Sequence, residues 1–366
     1  MQKKIMLGLL LLTFVLVGVK VVPGIADSQG PEEIALTLEQ AVEMAIANNP
    51  QVGMAQADKK KKEISYKQAK DAGAKVEDTP MEATYEGKLM AKLKPKIAER
   101  EGEQAAKVYD ITINGVKVQA ENAYYNLIQA REKQEIASNT LKRADEQLRI
   151  AKLRYDLGTA AKVEVLAAEA GQAAARAGLT AARNTYKQSM LELNKCLAID
   201  LDTTLKPSGV FQFEKEEFLL QDLLDRAIAE DMSIIKAQDA YEMAKWSYEL
   251  LASLYGSSFY DSRKAEQDRV AAQLFLEQTK NDLVTKVHKS YYAYLALEEQ
   301  YQYLLKNVEV KQEAYRLTQL SYENGLATLN EIQEASDALK EAEVNLSDCI
   351  FQYNTLKSSM KYSLYQ

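Results

Sequence analysis

The side chains that most often perform catalysis or hold metals are rare in this chain. His288 is the only histidine, and it lies between Lys286 and Lys289 in a stretch with helical patterning. The sequence has no Cys/His cluster with metal-ligand spacing, no glycine-rich phosphate loop and no nucleophile at catalytic spacing from a base. We therefore predict that the protein is not an enzyme and that it has no metal site and no cofactor.

The charge of the chain argues against nucleic acid as a partner. The net charge is −7, and charged residues make up 27% of the 366 residues. Nucleic-acid binding needs a basic face. The only basic run is the four lysines at 59–62, which on a helix point all round the axis and so indicate a solvated segment.

The N-terminus has the pattern of an export signal. Lys3 and Lys4 precede an apolar run over residues 5–22, and small residues at 24 and 26 fit a cleavage site. We predict a signal peptide over residues 1–26; an uncleaved anchor is the alternative, because the run is long enough to span a bilayer. Export would permit a disulfide between Cys196 and Cys349, but two free thiols are the simpler expectation.

The sequence contains an internal repeat. A shift of 167 residues aligns Gly158 with Gly325, and 14 of the 63 positions from Tyr124 to Tyr186 are then identical to their equivalents. The opening parts of the two halves match at an offset of 182, so the first half holds 15 extra residues. We predict a first repeat over 27–206, with an irregular insert at 73–95, and a second over 207–366, with a turn near Gly256.

Sparse proline and glycine indicate that the repeats are long helical hairpins. Helix interiors exclude proline and disfavour glycine, so the few that occur mark turns. The predicted helices are 38–47, 51–72, 99–157, 161–197, 220–230, 233–254, 262–324 and 327–362. Gly158 and Gly325 form the two tips. Helices of about 60 residues imply coiled-coil or solenoid packing, and the alanine-rich segment 159–182 favours side-by-side assembly with other copies.

Several motifs in this order resemble the TolC family of outer-membrane efflux channels. They are the opening LTLEQA at 36–41, the tip RYDLG at 154–158 and the pairs AYYNL at 123–127 and SYYAY at 290–294. The resemblance implies a mainly all-α protomer whose two coiled-coil hairpins join those of two further copies in a homotrimeric α-barrel. It also implies a periplasmic adaptor protein that meets the hairpin tips and an inner-membrane pump behind it.

The resemblance also implies roles for single residues. Tyr322 and Glu164 are expected to make the contacts that close the entrance, and Glu331 and Glu334 to form its constriction. Three copies of these two glutamates would place six carboxylates in a ring that favours cations and raises some of their pKa values. The alternative is that both are ordinary solvated residues of a helix face. Ala327 stands where the family typically has a basic residue, which removes one closing contact.

The chain departs from the family in the segments where membrane strands would lie. A transmembrane strand needs about 9–11 residues. Residues 251–261 are too few for two such strands, and residues 75–94 carry charges that break the required apolar alternation. We therefore predict that the membrane β-strands are absent or vestigial. An outer-membrane location then follows from the resemblance alone, and export to the cell envelope from the signal.

Two functions remain open at this point. The first is a TolC-like efflux or export conduit component, a passive channel that works with an adaptor and a pump. The second is a helical-bundle protein of the envelope that binds a partner or acts as a strut without forming a pore. The oligomeric state of the mature chain discriminates between them, because a conduit requires a ring of copies and a strut does not.

Overall fold

Long helices joined by short turns form the structure, a computed structural model that describes residues 34–209 and 212–365. The predicted signal peptide lies outside these residues. In chain order the elements are β1 (Ile34–Leu36), α1 (Leu38–Asn48), α2 (Pro50–Ala74), α3 (Tyr85–Lys88), α4 (Lys94–Asp156), α5 (Lys162–Cys196), β2 (Leu205–Pro207), α6 (Leu220–Glu230), α7 (Met232–Tyr255), α8 (Tyr260–Glu323) and α9 (Leu329–Lys361). The predicted, mainly all-α fold class is confirmed.

Each of the two long helices packs against two shorter ones. α4 has 63 residues and α8 has 64, so each is about 95 Å long at 1.5 Å per residue. The C-terminal part of α4 packs against α5 and its N-terminal part against α2; α8 packs in the same way against α9 and α7. α4 also packs along α9, and this contact joins the two hairpins. Among the described residues, no helix is apolar over a length that would cross a membrane.

The ends opposite the glycine tips differ from the predicted helix bounds. α4 begins at Lys94, five residues before the predicted start, because Pro95 falls in its first turn, where a missing N–H leaves no helical bond unmade. Residues 75–93 form a 3₁₀ turn, the short α3 and a π-helical turn, while residues 256–259 turn the chain between α7 and α8. Neither segment forms a strand.

The cores of the two hairpins lie far from the tips, near the connection between the repeats. β1 and β2 pair in parallel with Leu36 opposite Pro207, which ties the start of the first repeat to its end. Tyr124 donates its hydroxyl to the Leu36 carbonyl at 3.0 Å. In the second repeat, the hydroxyls of Tyr294 and Tyr353 share a hydrogen bond of 2.5 Å within a separate apolar cluster. The two cysteines are free thiols, as expected.

Candidate functional site

The two hairpin tips turn with the same backbone geometry. Gly158 and Gly325 both have φ of +74°, a left-handed conformation that glycine adopts without a Cβ clash. At the first tip the amides of Gly158 and Thr159 donate to the carbonyls of Tyr155 and Arg154, and the second tip repeats this pattern. These bonds satisfy the last carbonyls of each long helix. The tips are therefore fixed turns that present the following helices at a set angle.

The helices that follow the tips begin in different ways. Thr328 is the N-cap of α9, and its hydroxyl accepts from the Glu331 amide at 3.3 Å. The Glu331 carboxylate in return accepts from the Thr328 amide at 2.7 Å and from its hydroxyl at 2.9 Å, which completes a capping box. The N-cap of α5 is Ala161, which has no side-chain oxygen to cap the helix. Two equivalent turns thus lead into a capped helix and an uncapped one.

A buried tyrosine joins the tip of the second hairpin to that of the first. Tyr322 is 0% exposed, and its hydroxyl donates to Oε1 of Glu164 at 3.0 Å. Arg154 donates to the same oxygen at 3.2 Å, and its guanidinium lies 5.0 Å from the centre of the Tyr322 ring. Burial first, and then the neighbouring Glu164 carboxylate, raise the pKa of Tyr322 to about 12. The hydroxyl therefore remains a hydrogen-bond donor at neutral pH.

The structure brings together one of the two predicted pairs of site residues. Tyr322 and Glu164 are in contact, and Arg154, which sequence reasoning did not assign, is the third member of the cluster. Its pairing with Glu164 spans only ten residues across the Gly158 turn. The sequence signal for Arg154 is a basic residue in the last turn of one helix followed by an acidic residue in the first turn of the next.

Apolar side chains from both hairpins surround this cluster. Leu148 and Ala151 of α4, Ala168 of α5, and Leu329 and Ile332 of α9 form one buried cluster with Tyr322. Because the ring is held on all sides, its hydroxyl has a fixed position relative to Glu164. The contact between the tips is thus an organised packing site, and the hydrogen bond lies inside it.

The predicted constriction residues lie apart from that cluster. Glu331 and Glu334 are both exposed on α9, and within the described residues neither forms a hydrogen bond or ion pair with Tyr322 or Glu164. Hydrogen bonds from the Thr328 amide and hydroxyl lower the pKa of Glu331. Within one protomer this shift is opposite to the one expected from crowding of like charges, because the capping bonds favour the charged form.

Exposed apolar side chains mark the outer surface of both tips. Leu157 is 69% exposed, Val163 71% and Leu326 84%. Large side chains this exposed and this close to Gly158 and Gly325 form an apolar end on each hairpin, although the protein carries charged residues along most of its length. Such ends are typical of surfaces that contact another protein.

Polar contacts join the hairpins along the rest of their junction. Asp348 of α9 accepts from Gln129 at 2.8 Å and from Lys133 at 2.6 Å. Nearer the tips, Arg143 of α4 donates to Ser336 at 3.1 Å and forms an ion pair with Glu343 at 3.6 Å. The α4–α9 contact is therefore joined by hydrogen bonds over its length and by apolar packing at the tips.

An open groove of about 660 Å³ runs beside this junction. Its wall on α5 consists of alanines and glycines, and its wall on α9 carries Gln333, Asp337 and Lys340. A wall of small side chains lets another helix approach closely. In the described part of the chain, no group of three or more His, Cys, Asp or Glu side chains could hold a metal ion.

His288 lies away from both tips, in the body of α8. Its ring nitrogen Nδ1 lies 2.8 Å from the Val284 carbonyl one turn earlier, and its side chain is half-buried. This position agrees with a structural role within the helix. The flanking lysines predict a helix-surface position for His288, and the structure shows its side chain half-buried.

Comparison with known proteins identifies the family. The model of the family "Outer membrane efflux protein" matches residues 87–198 and 236–359, which covers both hairpins. No curated protein sequence matches the chain significantly.

Solved structures share the fold at low sequence identity. The outer-membrane channel OprN has a TM-score of 0.73 at 15% identity, with 89% of each chain covered. VceC from Vibrio cholerae gives 0.73 at 14%, covering 89% of this chain and 95% of that one. The open state of MtrE from Neisseria gonorrhoeae gives 0.68 at 15%, covering 89% and 88%. With both repeats matched, the chain belongs to the outer membrane efflux protein family, the TolC-like channels that its hairpins resemble.

Proposed function

We propose that the protein is the protomer of a passive efflux conduit in the cell envelope, with its entrance at the glycine tips. The observation that carries this proposal is the contact of Tyr322 with Glu164, which ties the two hairpin tips of a family member together. A contact of this kind holds neighbouring hairpins closed when it is made and lets them separate when it is broken. No chemical bond of a transported molecule changes in such a conduit.

The conduit requires several copies of the chain. We propose a homotrimer, in which three pairs of hairpins enclose the channel. The wall of small residues on α5 supports this assembly, because it leaves room for a helix of the next copy. Glu331 and Glu334 of three copies would then form an acidic constriction that admits cations in preference to anions.

The apolar ends of the tips are the proposed contact with a periplasmic adaptor, which would connect the conduit to an inner-membrane pump. Leu326 is the most exposed large apolar side chain there. Leu326→Arg should leave the conductance of the purified channel unchanged, because the residue lies outside the tyrosine cluster. It should abolish efflux in cells if the tips dock on an adaptor; efflux at the parent level would contradict that contact.

Reconstitution of the mature chain into planar bilayers tests the conduit itself. The double variant Glu331→Gln with Glu334→Gln should lower the preference for cations, because it removes the negative charge from the constriction. Glu192→Gln is the matched control, since Glu192 is an exposed glutamate near the opposite end of α5. A protein that sediments as a stable monomer and gives no conductance would refute the conduit and favour a pore-less helical bundle of the envelope.

A further inference from the structure

The two repeats use one equivalent glutamate in two different ways. Glu164 and Glu331 are 167 residues apart, and each is the third residue of the helix that follows a glycine tip. The Glu331 carboxylate accepts hydrogen bonds from Thr328, the N-cap of its own helix three residues earlier. The Glu164 carboxylate instead accepts from Tyr322 of the other hairpin and from Arg154. The position is the same, but one acid acts locally and the other across the tips.

The residue that precedes each helix explains this difference. A capping box needs a hydroxyl at the N-cap, which Thr328 supplies and Ala161 lacks. Where the hydroxyl is present, the carboxylate folds back onto the helix start. At Ala161 the hydroxyl is missing, and Glu164 Oε1 accepts from Arg154 and Tyr322, which both lie outside α5. Ala161 therefore leaves Glu164 available to Tyr322.

The cation of the cluster also belongs to one repeat alone. Arg154 lies three residues before the Leu157 cap of α4, and only 18% of its side chain is exposed. Ser321 holds the equivalent place in the second repeat and carries no charge. The first tip thus supplies both the acid and the cation, while the second supplies the tyrosine. Each protomer can form a single such contact.

We propose that Ala161 and Arg154 are the positioning residues of the entrance contact. Ala161 acts because its side chain has no hydroxyl to bind Glu164, so the carboxylate remains available to Tyr322. Arg154 acts by holding the freed carboxylate beside the Tyr322 hydroxyl, while its guanidinium lies 5.0 Å from the centre of the Tyr322 ring. Thr328 has the opposite effect on Glu331 and keeps it out of the contact. The role of this contact at an entrance rests on the proposed function. The choice of hydrogen-bond partners by Glu164 does not depend on that function and can be measured on the chain itself.

Hydrogen exchange of the purified mature chain tests the inference without a pore. Ala161→Thr offers Glu164 a local hydroxyl. If Glu164 then bonds to the new hydroxyl, it gains a cap of ordinary strength and loses its contact with Tyr322. Hydrogen exchange should become about fivefold slower over residues 162–166 and about fivefold faster over residues 318–324. Ala161→Val is the matched control, because it has the shape of threonine without the hydroxyl and should not produce these opposite changes. If the threonine and valine variants have the same hydrogen-exchange rates, the N-cap hydroxyl does not determine which partners Glu164 binds.

Two further variants test the other positioning elements. Arg154→Gln should speed exchange over residues 318–324, because the carboxylate loses its second donor. Thr328→Ala should speed exchange at the start of α9 and leave residues 162–166 as in the parent. An Arg154→Gln protein with parent exchange rates at both tips would overturn the role given to Arg154. A parent chain that forms no pore would instead refute the proposed conduit, and the exchange comparison would stand.

Discussion

Removal of one hydroxyl should loosen the contact between the tips. Tyr322→Phe keeps the ring in its apolar cluster and deletes only the donor to Glu164. Because the residue is 0% exposed, water cannot replace the lost partner without disturbing the packing. The Glu164 carboxylate keeps Arg154 as a donor at 3.2 Å and is itself half-buried, so it retains part of its stabilisation.

These features set the size of the effect. Hydrogen bonds to charged groups contribute about 1.5–3 kcal/mol each. The retained Arg154 bond and the partial access of Glu164 to water place this one near the lower end, at about 1.5 kcal/mol. A change of that size corresponds to about a tenfold shift in an equilibrium constant. We therefore expect the ratio of closed to open states to fall about tenfold per protomer.

Single-channel recording in planar bilayers measures that ratio directly. Tyr155→Phe is the matched control, because Tyr155 occupies the equivalent position of the first tip but is 45% exposed. It should leave the open probability unchanged. If Tyr322→Phe also leaves the open probability and the thermal midpoint at their parent values, the hydroxyl contact does not hold the tips closed. Equal effects of the two variants would show that the tyrosine ring or the turn matters, and the hydrogen bond does not.

Three other substitutions probe the structure that supports the tips. Arg143→Met should lower the free energy of unfolding by about 2 kcal/mol, because it leaves buried Ser336 and half-buried Glu343 of α9 without their shared cation. Arg149→Met loses only an exposed pair within one helix turn, so it should not change the midpoint in chemical denaturation. Gly325→Ala should destabilise the protein by about 1 kcal/mol through its positive φ, whereas Gly53→Ala, in an open helical position, should stabilise it by about 0.5 kcal/mol. Folding lowers the pKa of Glu331, so its hydrogen bonds with Thr328 stabilise the protein above the unfolded-state pKa of this carboxyl group. That stability is lost as the pH falls through the folded-state pKa. The thermal midpoint of Glu331→Gln should therefore fall less than that of the parent between about pH 6 and about pH 3. A loss equal to that of the parent would contradict this sign.

The long helices and their tips could be predicted from sequence because few residues tolerate their geometry. Proline and glycine are nearly excluded from helix interiors, so their positions located the turns at Gly158 and Gly325, and the structure gives both a positive φ. The start of α4 was misplaced because Pro95 signals a break in most contexts, and only the first-turn position makes it acceptable. Residues 75–93 could not be predicted as helical turns, since their form depends on packing beside α2 and α7.

The site was only partly visible in the sequence. The pairing of Tyr322 with Glu164 came from the family resemblance, since the two residues are 158 positions apart and no local pattern connects them. The capping box at Thr328 and Glu331 was readable from their spacing of three residues, and the missing box at Ala161 was readable in the same way. What the sequence could not show is the consequence, because the partners of a freed carboxylate depend on where the other hairpin lies.

The distribution of contacts indicates where the molecule can move. The large apolar clusters belong to single repeats, one around Tyr124 and one around Tyr294 and Tyr353, both far from the tips. Away from those clusters, polar pairs such as Lys133 with Asp348 join the hairpins; these two side chains are 33% and 40% exposed and can exchange protein partners for water at modest net cost. Movement of one hairpin against the other can therefore break these polar pairs at low cost, whereas separation of the tips also exposes the apolar cluster around Tyr322. At the tips, that cluster combines apolar burial with a charge-assisted hydrogen bond from Tyr322 to Glu164, so we expect it to control their separation.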